Sequence, residues 1–336
     1  MRLKTLFATT CLGLAIAGQA LAWGDTGHRL VGEEAMKALP KGLPTFLYLP
    51  QSAVDVGQYS REPDVWRKSG SIHDAERDPA HLMRLDDDGV TLAGTPLTAM
   101  PATRSDYEAA VRAHGGDPLK AGYLYYSLID AYQQVRKDFA VLRAIAAAEK
   151  AETNKARLAD LKGAERRRQD LTLRDIGILS HYAGDATQPM HVSIHYDGWG
   201  DFPNPEGFTV LGIHWPVEGP FVHDHVTQAM VHGDVLAQQP CATTPEACVA
   251  ARLLRNHEQV LPLYRLEKMG AFKGSDPAGP AYLAKLLGQG ASDLRDMIAD
   301  AWKESPSIAI NSAGVICDDV VTGKAKDRYA AVMGDS

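Results

Sequence analysis

The hydrophobic and polar positions of this 336-residue chain repeat mostly with the period of an α-helix. Apolar side chains that recur three and four residues apart form the single buried face that a helix packs against a core. On this pattern we predict helices over residues 27–39, 107–114, 121–150, 171–185, 222–236, 245–269 and 280–305. The alternation typical of half-buried strands is scarce. The pattern therefore indicates a mainly α-helical fold.

Two segments interrupt this periodicity and are predicted to be long polar loops. Residues 55–89 and residues 192–219 are rich in Pro, Gly, Asp and His. Within the first, the acidic run that begins at Asp86 is interpreted as a tight turn, because the other ligands of an EF-hand calcium loop are missing. Helices that carry such loops suggest a site built on rigid elements and completed by the loops.

Residues 1–22 have the pattern of a secretory signal peptide. Arg2 and Lys4 precede a short apolar run, and Ala20 and Ala22 give the small residues of a cleavage site. The run is too short to anchor the chain in a bilayer, and no later segment reaches the length of a transmembrane helix. We expect cleavage after Ala22, export to the periplasm or the extracellular space, and one domain over residues 23–336.

The charge of the chain argues against one class of function. Cleavage would remove two of the 35 basic residues and none of the 42 acidic ones, which changes the net charge from −7 to −9. A protein that holds duplex nucleic acid through a broad basic face needs the opposite balance, because Lys and Arg must neutralise phosphates. Any affinity for phosphate must therefore be local, from an arginine or from a metal cluster.

Three cysteines would remain after cleavage. In an oxidising compartment the expected disulfide joins Cys241 to Cys248 across a short loop and leaves Cys317 unpaired. A disulfide from Cys317 to either of the other two is the alternative.

The segment from His181 to His191 places three potential metal ligands within eleven residues. His181 and Asp185 are four residues apart, so they lie on one face of the predicted helix, one turn from each other. Pro189 ends that helix, and His191 follows where the backbone turns back toward the same site. A single His–Asp pair with this spacing is usually an ordinary pair on a helix surface. Whether these residues bind a metal therefore depends on further ligands elsewhere in the chain.

Further candidate ligands lie on both sides of this segment. After cleavage the free amino group of Trp23, with a pKa near 7.7–8.0, can lose its proton to a metal, and its carbonyl can close a chelate ring. The other candidates are His28, Asp64, His81, His214 and Glu218. Nitrogen and oxygen ligands without thiolate suit zinc, and their number fits three ions with three or four ligands each.

The order of these candidates resembles the superfamily of S1/P1 nucleases and zinc-dependent phospholipases C. The shared pattern is Trp-x4-His at a processed N-terminus, then an Asp and a His, then HxxxDxxxxxH and HxxxE, and it extends from Trp23 to about Val226. The step from Trp23 to His28 and the span from His191 to His214 are similar to the nuclease branch. Glu218 is similar to the phospholipase branch, because the nucleases usually have Asp there.

The resemblance implies a fold of the phospholipase C/P1 nuclease type and three zinc ions. The first ion would be held by Asp64, His81, His181 and Asp185. The second would be held by His191, His214 and Glu218. The third would be held by Trp23, through its amino nitrogen and carbonyl, with His28 and the bridging Asp185.

Other histidines offer alternatives to this ligand set. The interval from His81 to His181 is longer than in the nucleases, so His73 is a rival to His81. His81 is preferred because it precedes the acidic turn at Asp86. His195, four residues after His191, is a second rival. A further pair, at positions 223 and 225, is interpreted as solvated.

The resemblance also implies the hydrolysis of a phosphodiester by a water shared between two zinc ions. Asp185 would orient that water and help as general base. Arg67 matches a basic residue that the nucleases use near the phosphate, where a guanidinium suits the charge of the transition state. The alternative for Arg67 is a plain surface cation.

The residues around the candidate ligands leave the substrate open. The nucleases stack a base on an aromatic residue next to the position of His81, where this chain has Leu82. The choline-binding phospholipases use an acidic and aromatic cage at positions where this chain has Thr26 and Val65. We rank a nuclease for single-stranded DNA or RNA ahead of a phospholipase C. A zinc-binding protein without turnover is the remaining alternative, and no stable protein partner is implied.

Overall fold

A computed structural model describes residues 23–334 as an assembly of α-helices. The signal peptide and cleavage site expected within residues 1–22 lie outside the described residues, as do the last two residues of the predicted domain. In the described part the only β pairings are the isolated bridges Leu85 to Thr91, Val90 to Pro96 and Ala309 to Ile316. The prediction of a mainly α-helical fold is confirmed.

The helices differ widely in length. The α-helices of the described residues are α1 Gly24–Lys37, α2 Pro50–Tyr59, α3 Glu62–Val65, α4 Ser71–Arg77, α5 Arg104–Ala113, α6 Pro118–Ala121, α7 Leu124–Ala151, α8 Lys155–Asp185, α9 His214–Pro216, α10 Val222–His225, α11 Gln228–Gly233, α12 Pro245–His257, α13 Val260–Lys268, α14 Ala278–Glu304, α15 Cys317–Val321 and α16 Arg328–Met333. Short 3-10 turns lie at Thr45–Tyr48, Asp78–His81, Leu97–Ala99, Pro189–Val192 and Ser305–Ser307, and a π turn lies at Val217–Phe221.

Four of these helices form the centre of the fold. The long helices α7 and α8 are joined by three residues and pack along each other; α14 packs against both, and α1 packs against α8 and α14. Phe139 of α7, Ile176 of α8 and Leu294 of α14 are completely buried. Burial of such side chains stabilises the fold by about 1.5–3 kcal/mol each. The four helices therefore hold the C-terminal end of α8 in a rigid position.

Helix α8 begins much earlier than the periodicity predicts. Its N-cap is Asn154, whose side-chain oxygen accepts hydrogen bonds from the backbone N–H groups of Ala156 and Arg157. Thr172, a plausible N-cap for the helix predicted from residue 171, is not a cap, since its hydroxyl donates to the carbonyl of Arg168 inside the helix. Most residues of α8 before 171 are polar, and most are exposed, so they lack the apolar repeat from which the helix is predicted.

Residues 55–89 are not the long loop that their composition predicts. They contain the end of α2, the short helices α3 and α4, and the turn Asp78–His81. Prolines at the first turns of α3 and of Asp78–His81 favour helix starts, where a missing N–H costs nothing. The acidic turn is as predicted, because Asp86 accepts from the N–H groups of Asp88 and Val90.

Two other predicted helices are interrupted. Residues 222–236 divide into α10 and α11, and Thr227 caps the second of these by accepting from the N–H of Met230. Residues 245–269 divide into α12 and α13. The second predicted loop does remain irregular between the turn Pro189–Val192 and α9.

The disulfide prediction is confirmed. Cys241 and Cys248 are bonded, with their Cα atoms 6.0 Å apart, and Cys317 is free and buried. The alternative pairing of Cys317 was wrong, because its thiol lies in a separate apolar cluster formed by α7 and the C-terminal helices. None of the helices described combines the length and the apolar character that crossing a bilayer requires.

Candidate metal centre

The carboxylate of Asp185, at the C-terminal end of α8, is surrounded by four imidazole rings. Its Oδ2 lies 3.2 Å from Nε2 of His181 and 3.2 Å from Nδ1 of His81. Its Oδ1 lies 3.4 Å from Nδ1 of His191 and 3.6 Å from Nε2 of His28. All five side chains are buried. One carboxylate therefore faces ligands from four separate elements of the fold.

Three groups of side chains in this region could each hold a metal ion. In each group the ligand atoms lie within 4.8 Å of one another. The groups are His28 with His181 and Asp185, Asp64 with His81 and His181, and His191 with His214 and Glu218. The first two share His181, and Asp185 lies between all three. Every histidine and carboxylate of the predicted ligand set belongs to one of these groups.

Backbone carbonyls fix the orientation of two of the rings. Nδ1 of His181 donates to the carbonyl of Ser60 at 2.8 Å, and Nδ1 of His191 donates to the carbonyl of His81 at 2.7 Å. Each ring therefore has its lone pair on Nε2, as a metal ligand with an orienting partner does. Nε2 of His191 faces Oε2 of Glu218 at 3.8 Å.

Several polar atoms of the centre are buried without a hydrogen-bond partner among the described residues. They are both ring nitrogens of His28 and of His214, Nε2 of His81, Oδ1 of Asp185 and Oε1 of Glu218. An unsatisfied buried polar group costs about 1–3 kcal/mol, so several of them in one place require an explanation. Their chemistry is that of nitrogen and oxygen ligands. A cation in the centre would satisfy them together.

The pKa shifts of three of the histidines agree with a metal site, although at His181 the effect of burial is outweighed by Asp185, which raises the pKa of that ring. Burial, with the neighbouring His181, lowers the pKa of His28 well below its usual value, and burial lowers the pKa of His191 to about 3 and that of His214 to about 4. These rings are therefore neutral at physiological pH, the form that binds a metal. Burial and the carboxylates of Asp64 and Asp185 raise the pKa of Glu218 well above its usual value.

The side chain of Trp23 is fixed beside this centre. Its indole N–H donates to the carbonyl of Gly184 at 2.8 Å, and the residue is completely buried. His28, one turn of α1 further on, stacks on the ring of His181 with centroids 3.9 Å apart. Whether the amino group of Trp23 is free depends on cleavage outside the described residues. Its role as a ligand therefore stays a prediction.

Gly184 allows His28 to approach α8. A Cβ atom at this position would lie 3.0 Å from Nδ1 of His28 and 3.3 Å from Cε1. The absence of a side chain thus makes room for the ring of His28 against the last turn of α8. Gly184 lies inside the segment that the sequence singles out, but its role follows only from the contact between α1 and α8.

Arg67 lies beside the centre and has carboxylate partners on two sides. Its Nε is 3.1 Å from Oδ1 of Asp78, and a terminal nitrogen is 3.5 Å from Oδ1 of Asp64. Its side chain is only 9% exposed, so it differs from a plain surface cation. The positive charge is therefore held near Asp64.

The structure places the rival histidines away from the three groups. His73 lies on α4 with its Nδ1 3.5 Å from Asp74. Nδ1 of His195 donates to the carbonyl of Trp199 at 3.0 Å, and its Nε2 is 2.8 Å from Oδ1 of Asp87. His195 thus stabilises the second loop. The histidines at positions 223 and 225 are exposed, as expected.

Two supporting residues escape prediction from the sequence. Gln188 donates to Oε2 of Glu218 at 3.1 Å, and its own side-chain oxygen accepts from the N–H of Met190 at 3.1 Å. Asp197 accepts from the N–H of His214 at 3.0 Å. The only available signal is that Gln188 precedes Pro189 within the ligand segment. Both residues hold the group that contains His191, His214 and Glu218.

No family model, curated protein or solved structure matches this chain. The function of the centre must therefore be inferred from its own residues and geometry.

Proposed function

We propose that this protein is an exported zinc-dependent phosphodiester hydrolase that cleaves single-stranded DNA or RNA. The observation that carries the proposal is the position of Asp185, whose two oxygens lie 3.2–3.6 Å from nitrogens of four imidazoles in a buried site. Such a concentration of imidazoles and carboxylates is typical of a multinuclear zinc centre.

The residues present fit three zinc ions. Asp64, His81 and His181 would hold one ion together with Asp185; His191, His214 and Glu218 would hold the second; His28 and Asp185, with the processed N-terminus of Trp23, would hold the third. When bound, the ions supply Lewis-acid activation of water and neutralise charge on the phosphodiester. The buried atoms that lack hydrogen-bond partners support this assignment.

The side chains around the centre have distinct roles in the proposed reaction. Asp185 orients the attacking water and accepts its proton through a carboxylate oxygen. Attack at phosphorus forms one P–O bond and breaks the ester bond to the leaving oxygen, which ends as a hydroxyl. Arg67 stabilises the negative charge that builds up on the phosphate. The proton taken from water balances the one that the leaving oxygen gains.

Of the candidate ligand side chains, Asp64, next to Arg67, is the most exposed to solvent. The Asp64 side chain is 12% exposed, whereas those of Asp185 and His181 are not exposed at all. A phosphodiester would therefore reach the ions from this side, next to the guanidinium. The preference for nucleic acid rests on the resemblance to the nuclease branch, and a single strand is favoured because the acidic chain offers no broad basic face.

A specific observation favours phospholipase C activity as the second candidate. Val65 is 61% exposed directly after Asp64, and Leu211 is 73% exposed three residues before His214. Trp215, directly after His214, is also exposed. Exposed apolar residues beside a site suit contact with a lipid surface.

The test is a comparison of substrates with one preparation of processed, zinc-loaded protein. Single-stranded DNA, RNA and phosphatidylcholine vesicles are assayed side by side, with a chelator-treated sample as control. We expect cleavage of single strands that requires zinc. Turnover of phosphatidylcholine alone would reverse the ranking, and bound zinc without turnover of any diester would identify a zinc-binding protein instead.

A further inference from the structure

A polar groove with aromatic walls lies beside the metal centre and has no role in the proposed reaction so far. Its volume is about 1040 Å³. We call it the tyrosine groove, after four of its lining residues, Tyr123, Tyr125, Tyr126 and Tyr182, and it also includes Trp66. Pockets for small ligands usually have about 300–1,000 Å³, so the groove has room for more than one nucleotide.

The groove is continuous with the elements that carry the metal ligands. Helix α8 lines it with Arg174, Ile178 and Tyr182, and the same helix then presents His181 and Asp185. Two further segments also supply both a lining residue and a candidate metal ligand. Trp66 lines the groove two residues after Asp64, and Ala80 lines it directly before His81. Tyr182 also contacts two candidate ligands, with its ring centroid 6.0 Å from that of His81 and 5.5 Å from that of His181, so the groove adjoins the metal centre.

The chemistry of the walls suits nucleotides. The guanidinium carbons of Arg77 and Arg174 lie 5.0 Å and 5.8 Å from the centre of the Trp66 ring, and that of Arg104 lies 3.6 Å from the Tyr123 ring. Aromatic faces next to arginines are what proteins that bind single strands use, because bases stack on the rings and phosphates bind the cations.

Carboxylates also line the groove and restrict what it can bind. Glu76 pairs with Arg104 at 3.0 Å, and Asp175 pairs with Arg174 at 3.0 Å. Asp130 and Glu246 are further acidic residues of the lining. They disfavour a polyanion without bases but can accept hydrogen bonds from the amino groups of bases and from ribose hydroxyls.

We propose that the tyrosine groove is a subsite for the nucleotides that flank the scissile phosphodiester of a single-stranded substrate. This inference rests on the proposed function. Tyr123, Tyr125 and Tyr182 are buried and form the floor of the groove. The groove holds the strand by stacking bases on Trp66 and Tyr126, its half-buried rings, and by placing phosphates near Arg77 and Arg174. Local arginines thereby supply the phosphate affinity that the acidic chain as a whole lacks.

The test measures binding separately from cleavage. A fluorescent phosphorothioate oligothymidylate of eight residues is titrated with zinc-loaded protein and followed by anisotropy at several salt concentrations. The variants are R77Q, R174Q and the double variant. Both arginines lie at least partly exposed, so their replacement spares the core. The control is R112Q, an exposed arginine of α5 outside the groove.

We expect each groove variant to lower the slope of log K against log salt by about 0.7, the value for one lost phosphate contact on a single strand. The double variant should bind at least about tenfold more weakly at low salt. An abasic oligomer of the same length should also bind at least about tenfold more weakly to the wild type, because stacking is lost. R112Q should bind like the wild type.

The outcomes separate this inference from the proposed function. If the wild type cleaves single strands but the groove variants bind the oligomer with unchanged affinity and salt slope, the subsite is wrong and the function stands. If the wild type cleaves no nucleic acid, the proposed function is wrong, and the subsite with it. If the groove variants change phosphatidylcholine turnover and leave oligonucleotide binding unchanged, the proposal that the groove binds nucleotides is wrong.

Discussion

Oδ2 of Asp185 lies 3.2 Å from Nε2 of His181, the residue one turn earlier on α8. Burial opposes the charge of Asp185, but the imidazoles of His181 and His191 outweigh it and lower the pKa of Asp185 well below its usual value. The carboxylate is therefore ionised, completely buried and shared among several imidazoles. In the proposed centre it is the ligand that connects the ions.

Replacing Asp185 with Asn is expected to remove this connection. The amide keeps the shape but loses the charge and part of the ligand capacity. We expect zinc content to fall below three equivalents and cleavage of single-stranded DNA to fall at least about 100-fold, because even residues that only support metal ligands contribute about 10–100-fold. Zinc is measured by plasma mass spectrometry. The control is D170N, an exposed position on the same helix, which should keep full zinc content.

Gly184 offers a test of the contact between α1 and α8. In G184A the new Cβ would lie 3.0 Å from Nδ1 of His28, so the ring must shift from its present position against α8. We expect weaker binding of the zinc ion that involves His28, measured by competition with a chelator.

The matched control for this variant is G163A on the same helix. There the nearest atom to the new Cβ is the end of the flexible Arg167 side chain, at 3.2 Å. Replacing a helical glycine with alanine should stabilise this variant by about 0.5–1 kcal/mol without changing zinc affinity. Equal zinc affinity in G184A and G163A would contradict the proposed role of Gly184.

The sequence predicts the ligands that lie on one helix better than those that meet across the fold. The closeness of His181 and Asp185 follows from helical geometry alone. His214 and Glu218 have the same spacing but lie in a predicted loop, where the structure forms a short helix followed by a π turn. The closeness of His81 and His191 depends on the hydrogen bond from Nδ1 of His191 to the carbonyl of His81, and the fit of His28 depends on Gly184. Neither contact leaves a periodic signal. The helices within residues 55–89 were missed because they are short, exposed and rich in polar residues.

A buried carboxyl pair between α7 and α8 predicts a pH effect on stability. Burial and the nearby Asp175 raise the pKa of Asp138 from 3.8 to about 7, although Arg168 partly opposes this. Between pH 4 and pH 7 the folded protein therefore holds a proton that the unfolded chain releases. The stability contributed at low pH is lost as the pH rises through this range.

The variant D138N should lack this effect. We expect the free energy of unfolding of the wild type, relative to that of D138N, to fall by roughly 2–4 kcal/mol between pH 4 and pH 8, since each pKa unit corresponds to about 1.4 kcal/mol. The measurement is urea unfolding at several pH values. Parallel curves for the two proteins would show that the proton is not held at Asp138.

The N-terminus of the processed protein provides a separate test of the third ion. The indole of Trp23 is held by the carbonyl of Gly184, so the backbone at this residue has a fixed place beside His28. One extra residue before Trp23 removes the free amino group there but keeps the indole contact. We expect the extended protein to bind two zinc ions in place of three. Full zinc content in the extended protein would rule out the amino nitrogen as a ligand.

The most direct test of the central claim is to measure zinc content and cleavage of single-stranded DNA on the same preparation of protein that begins at Trp23. We predict three zinc equivalents per chain, loss of cleavage when a chelator removes them, and recovery when zinc is added back. A protein that cleaves single strands equally well without zinc, or that binds three zinc ions and cleaves no phosphodiester, would contradict the account.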